Sequence, residues 1–145
     1  MTDGGATDVV LDASALVAFL LGEPGADAVS AILHARRTAA TPLALAETLR
    51  TCRRKDFVMT PDEIRTLLHS LGLHVEPVAE DDIAAIEAAF AASDGFRAGD
   101  RSRGSLSLAD AACIAVARRL GAPVVVSDVY WDNLAIDDVQ VVQFR

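Results

Sequence analysis

Short apolar runs, mostly of β-branched residues, alternate with longer helical stretches along this chain. The clearest runs occupy residues 9–11 and 123–126, and the segments between them carry apolar residues at helical spacing. Strands that are separated by helices imply a parallel sheet with right-handed crossovers. The alternation therefore predicts an α/β fold built on a parallel sheet.

The individual elements follow from apolar periodicity and from the Gly, Pro and capping residues at their ends. We predict strands at residues 8–11, 38–41, 73–75, 123–126 and 139–144, the last at a sheet edge, and helices at 15–21, 25–37, 42–55, 61–71, 80–92 and 107–120. Residues 93–105 contain three glycines and are predicted to form a loop. We expect Ser14 to be the N-cap of the first helix, which would leave Asp12 free.

Length and composition indicate one packed domain. The chain has 145 residues, of which 52% are hydrophobic. We expect residues 1–7 to be a flexible N-terminal tail and residues 8–145 to be the domain. The tail lacks the basic start and apolar centre of a signal peptide, and no apolar run approaches the ~20 residues of a membrane span. We expect Cys52 and Cys113 to be reduced and buried in a cytoplasmic protein.

The net charge of −8 argues against a nucleic-acid-binding protein with a uniformly basic surface. Two basic clusters are local exceptions. Each could be an ordinary solvated surface, or it could supply contacts to phosphate groups beside an acidic pocket. The clusters consist of Arg50, Arg53, Arg54 and Lys55, and of Arg97, Arg101 and Arg103.

Four acidic residues lie at element ends or on a helix: Asp12, Glu47, Asp110 and Asp128. In an α/β sheet, strand ends and helix starts converge on one edge, where such folds carry out their chemistry. Clustered carboxylates repel one another unless they hold a hard cation such as Mg²⁺ or Mn²⁺. The set therefore predicts metal-assisted phosphodiester chemistry.

Each acid also has a structural explanation when it is taken alone. Asp110 fits a capping box with Ser107, and a single glutamate on a helix, such as Glu47, usually faces solvent. Asp128 could be a turn residue, with Asp132 as a rival for its role. If the strands before Asp12 and Asp128 are neighbours at the reversal of strand order, these two acids flank the crevice.

Four segments in this order resemble the motifs of PIN-domain nucleases, in particular the VapC-type toxins of bacterial toxin–antitoxin pairs. The segments are VVLDASAL at residues 9–16, TPLALAE at 41–47, LSLADA at 106–111 and VSDVYW at 126–131. In the last motif the family usually has a hydroxyl residue, one spacer and then aspartate. Here Ser127 directly precedes Asp128.

The resemblance implies a parallel sheet sandwiched between helices, an Mg²⁺- or Mn²⁺-dependent endoribonuclease, a homodimer, and a cognate antitoxin that occludes the acidic site. Under it, Asp12 and Asp110 bind the metal directly, and Glu47 and Asp128 complete the site or orient water. Ser14 would support the metal ligands or contact a phosphate. We also expect RNA contacts from the loop that contains Arg97, Arg101 and Arg103.

Other functions fit the residues less well or stay open. A phosphorelay receiver needs a lysine at a late strand end, and the only lysine is Lys55. A haloacid-dehalogenase-type phosphatase needs a second acid two residues after the first, where this chain has Ser14. A PIN nuclease of RNA processing without an antitoxin, and an inactive PIN interaction module, both remain as alternatives.

Overall fold

The structure is a computed structural model that describes residues 6–97, 106–126 and 141–144. Its strands are β1 (Val9–Leu11), β2 (Thr38–Ala40), β3 (His74–Val75), β4 (Val124–Val126) and β5 (Val141–Gln143). Its helices are α1 (Ala13–Leu21), α2 (Ala26–Ala35), α3 (Pro42–Arg54), α4 (Pro61–Ser70), α5 (Ile83–Arg97) and α6 (Leu108–Leu120), with a 3₁₀ turn at Glu80–Asp82. The predicted order of strands and helices is confirmed.

All five strands pair in parallel, in the order β3-β2-β1-β4-β5. The chain builds outward from β1 through β2 to β3 and then returns to place β4 on the other side of β1. Val10 consequently lies opposite Ala39 of β2 and Val124 of β4. The strand order reverses between β1 and β4, so the predicted adjacency of these two strands is confirmed.

Both faces of the sheet are buried, as expected for a parallel sheet covered by helices. Alternate residues of a strand point to opposite faces. Leu11 and Val125 join one apolar cluster with residues of α1, α2, α3 and α4, whereas Val10 and Val124 join a second with residues of α5 and α6. The helices therefore sandwich the sheet, which confirms the predicted architecture.

Helix α5 is longer than the sequence predicts. It continues to Arg97, so the prediction that residues 93–97 belong to a loop is wrong. Ser93 is buried, and its Oγ accepts a hydrogen bond from the backbone N–H of Leu106, 3.3 Å away. This hydrogen bond links α5 to the residue two positions before α6. Arg101 and Arg103 lie outside the described residues, as do residues 1–5 of the predicted tail.

An ion-pair cluster joins α6 to the segment that leads from β3 to α5. Arg119 donates from Nε to the Oδ1 of Asp82 at 3.0 Å and from Nη1 to the Oε2 of Glu76 at 3.1 Å. Asp82 is only 2% exposed. The guanidinium holds the pKa of Asp82 below its usual value, against the opposing effect of burial. Arg119 therefore compensates a buried charge far along the chain from its own position.

The two cysteines are free thiols, and both are buried, as predicted. No single helix in the described part of the chain is long and apolar enough to cross a membrane. Helices α1 and α2 meet that requirement only as a pair, which is bent by 107°.

Candidate active site

Asp12 is the first residue after β1, at the point where the strand order reverses. Its backbone N–H donates to the carbonyl oxygen of Val125 in β4, 3.3 Å away. Its side chain is 6% exposed, and Oδ1 accepts the backbone N–H of Ala15 at 2.9 Å. Asp12 is therefore held between two strands and is itself the N-cap of α1.

The prediction that Ser14 caps α1 is wrong. The backbone of Asp12 is extended, with φ −84° and ψ 176°, and the helix begins at the next residue, so Ser14 already lies inside the first turn. From there its Oγ reaches back to Asp12, 2.7 Å from Oδ1 and 2.8 Å from Oδ2. Asp12 is consequently not free, because its carboxylate both caps α1 and accepts the hydroxyl hydrogen of Ser14.

Glu47 lies in the second turn of α3, and its position follows from how that helix begins. Thr41 directly follows β2, and its Oγ1 accepts the backbone N–H of Ala44 at 3.0 Å. Pro42 occupies the first helical position, where its missing N–H does no harm. The helix therefore starts at the same edge of the sheet as Asp12, and it packs against both α1 and α6.

Asp110 lies in the first turn of α6, and the predicted capping box with Ser107 is confirmed. The Ser107 backbone N–H donates to Asp110 Oδ2 at 3.1 Å, and the Asp110 backbone N–H donates to Ser107 Oγ at 3.1 Å. The side chain of Asp110 is only partly exposed. Asp110 can therefore cap α6 and still present its carboxylate to the candidate site.

The charges of these three acids act on one another. Burial raises the pKa of Asp12 from 3.8 to about 7, the hydrogen bonds from Ser14 and Ala15 oppose this, and the charges of Asp110 and Glu47 raise it further. Burial and the charge of Asp110 also raise the pKa of Glu47. Three of the four predicted acids therefore lie within range of one another's charges. Asp128 and its rival Asp132 lie outside the described residues.

Two neighbours of the acids had no part in the predicted site. Cys113 lies one helical turn after Asp110 and is buried, and the three carboxylate charges reinforce the effect of burial in raising the pKa of its thiol. Arg50 lies one turn after Glu47 and lowers the pKa of that carboxyl. The spacing of three residues on a helix was the available signal in both cases.

Carboxylate oxygens are the donors that Mg²⁺ and Mn²⁺ prefer. Within the ranges that the structure describes, no group of three or more His, Cys, Asp or Glu side chains is arranged to hold an ion. Mg²⁺, however, usually takes one or two carboxylates and completes its shell with waters and substrate phosphates. Carboxylates that raise one another's pKa gain from such a cation. The carboxylates of Asp12, Asp110 and Glu47 therefore have the donor chemistry that Mg²⁺ or Mn²⁺ prefers, one or two of them with waters and phosphates.

A parallel α/β sheet with clustered carboxylates at its reversal point defines a class of domains that bind ligands in this crevice. The family model of the PIN domain matches residues 9–137, and the chain belongs to this family of nucleases. No curated protein sequence matches the chain significantly.

The chain is similar in fold to several solved toxin structures, at low sequence identity. VapC20 of Mycobacterium tuberculosis, described as a sarcin–ricin loop cleaving toxin, is 18% identical with a TM-score of 0.64, covering 92% of this chain and 99% of that one. VapBC2 of Rickettsia felis, bound to a promoter DNA fragment, is 10% identical with a TM-score of 0.66, covering 93% and 97%. A toxin–antitoxin complex from Klebsiella pneumoniae is 17% identical with a TM-score of 0.63, covering 95% and 98%.

Proposed function

We propose that this protein is an Mg²⁺- or Mn²⁺-dependent endoribonuclease that hydrolyses RNA phosphodiester bonds and is the toxin of a toxin–antitoxin pair. The observation that carries the proposal is the placement of Asp12. It is buried where the strand order reverses, and the charges of Asp110 and Glu47 raise its pKa. Membership of a family of nucleases and the likeness to VapC folds support the same reaction.

Each residue of the site has a proposed part. Asp12 and Asp110 bind the cation directly, and Glu47 and Asp128 complete the site or orient the attacking water. A cation held by these residues would supply polarisation of the scissile phosphate and a lower pKa for that water. Ser14 holds the Asp12 carboxylate in one orientation through its hydroxyl, 2.7 Å from Oδ1. Asp12 has to lose its proton before it can act as a ligand.

We further propose a homodimer in the cytoplasm and a cognate antitoxin that occludes the acidic site. An acidic pocket without its cation favours a bound guanidinium or ammonium group, which forms charge-assisted hydrogen bonds with carboxylates. An arginine or lysine of the antitoxin would therefore suit Asp12 and Asp110. The similar fold in the Klebsiella pneumoniae toxin–antitoxin complex supports a partner of this kind.

The test has two arms, one in solution and one in cells. Purified protein is expected to cleave RNA with Mg²⁺ or Mn²⁺ and to lose that activity in EDTA. Its expression in bacteria is expected to arrest growth, whereas Asp12→Asn does not. The matched control is Asp27→Asn, which removes an exposed acid from the first turn of α2.

The alternatives give different results in the same test. Cleavage without growth arrest would point to a nuclease of RNA processing that has no antitoxin. The absence of cleavage with either metal would point to an inactive PIN module that only binds other proteins. Equal activity of the Asp12→Asn variant, with contaminating nuclease excluded, would overturn the assignment of the site.

A further inference from the structure

The four basic residues near the end of α3 have different surroundings. Lys55 pairs with Glu23 at 2.8 Å. Arg53 borders a cavity of about 320 Å³ between α3 and α4. Arg50 and Arg54 are exposed, and neither forms a side-chain hydrogen bond or an ion pair with any residue in the described ranges. Arg53 is likewise exposed, so what distinguishes Arg50 and Arg54 is their place around the helix.

Arg50 and Arg54 share one face of α3 with Glu47, the exposed acid of the site. Residues at i, i+3 and i+7 lie along one stripe of a helix. At 1.5 Å per residue, Arg50 lies about 4.5 Å and Arg54 about 10.5 Å beyond Glu47 along the helix axis. Arg53 is rotated about 120° away from Glu47 around the same axis. The effect of Arg50 on the pKa of Glu47 agrees with this proximity.

The stability of α3 explains this pair only in part. Arg53 and Arg54 both lie in the last turn, where a cation interacts favourably with the helix dipole. Arg50 and Arg54, however, are like charges at i and i+4, an arrangement that destabilises a helix by a few tenths of a kcal/mol. A polyanion bound along this face would relieve that repulsion.

We propose that Arg50 and Arg54 bind two backbone phosphates of the RNA strand and lead the strand along α3, away from the acidic site. The inference rests on the proposed function, because it takes RNA as the polyanion. A chain of net charge −8 repels RNA at long range, and the acids of the site repel phosphates nearby. Cations that begin one helical turn from Glu47 would offset this repulsion where the strand leaves the site.

The test is equilibrium binding of a labelled single-stranded RNA of mixed sequence, measured by fluorescence anisotropy over a range of salt concentrations. Ca²⁺ replaces Mg²⁺, and a gel confirms that the RNA stays intact. The variants are Arg50→Ala, Arg54→Ala and the double variant. Arg53→Ala is the matched control, since it removes the same charge from the same helix at a position about 120° around the axis from Glu47.

Each phosphate contact on a single strand contributes about 0.7 to the slope of log affinity against log salt. We expect the slope to become less steep by about 0.7 in each single variant and by about 1.4 in the double variant. Arg53→Ala is expected to keep the wild-type slope, and Arg50→Lys to keep most of it. An unchanged slope in the double variant, an equal loss in Arg53→Ala, or wild-type protein that does not bind RNA would overturn the inference.

Failure of this inference and failure of the proposed function can be told apart. Wild-type protein that cleaves RNA, combined with an unchanged slope in the double variant, would leave the function standing and remove the arginine stripe. If the wild-type protein binds RNA and the variants change the slope as expected, but the wild type does not cleave RNA with Mg²⁺ or Mn²⁺, the arginine contacts would stand and the proposed function would fail.

Discussion

The Oγ of Ser14 lies 2.7 Å from Oδ1 and 2.8 Å from Oδ2 of Asp12, the residue that directly follows β1. This hydrogen bond favours the charged carboxylate, whereas burial and the charges of Asp110 and Glu47 favour the protonated form. The balance places the pKa of Asp12 at about 7. Small changes around Asp12 are therefore expected to alter its protonation near neutral pH.

The cleavage rate is expected to rise with pH through about 7 when Mg²⁺ is scarce, because Asp12 must be deprotonated to bind the cation. More Mg²⁺ should move the midpoint of the profile to lower pH, since the cation competes with the proton. Ser14→Ala should move the midpoint to higher pH, because it removes a hydrogen bond that lowers the pKa of Asp12. The measurement is the initial rate against pH at two Mg²⁺ concentrations. A midpoint that stays the same at both Mg²⁺ concentrations and in Ser14→Ala would contradict this account.

Asp12→Asn is expected to stabilise the metal-free protein at neutral pH. The folded-state pKa of Asp12, about 7, is above the ordinary value of 3.8. Stability from this group is therefore fully present below pH 3.8 and is lost as the pH rises through about 7. Asparagine can still cap α1 and carries no charge. The advantage of the variant should thus grow over this window, by up to about 1.4 kcal/mol per unit of pKa shift.

The measurement is urea unfolding in EDTA at several pH values between about 4 and 8, the window of the Asp12 shift. Asp27→Asn, at an exposed position, serves as the control. A difference between Asp12→Asn and wild type that does not change with pH would refute the raised pKa.

Ser107→Ala and Asp110→Asn should separate the structural and chemical roles of the capping box at α6. Ser107→Ala removes the Oγ that accepts the Asp110 N–H, and it should lower the free energy of unfolding by about 1 kcal/mol with cleavage retained. Asp110→Asn keeps the shape but removes a charge that the cation needs, so cleavage should be lost. Denaturant unfolding and Mg²⁺-dependent RNA cleavage measure the two effects. Full activity in Asp110→Asn would remove this residue from the site.

Arg119→Ala should lower the free energy of unfolding by about 1–3 kcal/mol, because it leaves Asp82 buried without its main partner. Asp82→Ala removes the buried charge itself. The double variant should therefore be less destabilised than the sum of the two single variants. Urea unfolding of the four proteins gives the coupling energy, and strictly additive effects would show that the pair contributes nothing.

Replacing Arg97, Arg101 and Arg103 together with alanine should reduce RNA affinity without removing metal binding. The physical reason is the loss of cations that precede the Asp110 helix closely in sequence. Anisotropy against salt measures the RNA contacts, and titration with Mn²⁺ measures the metal. An unchanged affinity and salt slope would exclude these arginines as phosphate contacts.

Much of the local structure could be predicted from the sequence because its signals act over a few residues. Ser107 and Asp110 form the expected capping box, Gly22 ends α1 in the left-handed conformation, and Pro42 begins α3. The alternation of apolar runs and helices, together with the order of the acidic motifs, also predicted the fold and the family. Such interactions join residues that are only three or four positions apart, so the sequence alone is enough to predict them.

Contacts between distant residues required the tertiary structure. Helix α5 extends to Arg97, and Ser93 within the extension accepts a hydrogen bond from Leu106, 13 positions away, a contact that no local propensity encodes. The same holds for the pairing of Arg119 with Asp82. Local propensities are fractions of a kcal/mol per residue, and tertiary context routinely overrides them.

The sequence by itself determined which residues are acidic, in what order they occur and on which kinds of element they lie. Only the folded sheet decided that β4 returns beside β1, and that Asp12 is both the cap of α1 and a buried carboxylate within reach of the charges of Glu47 and Asp110. The physical reason is that burial and charge repulsion depend on distances in space. Those distances are set by packing between segments that are far apart in the chain.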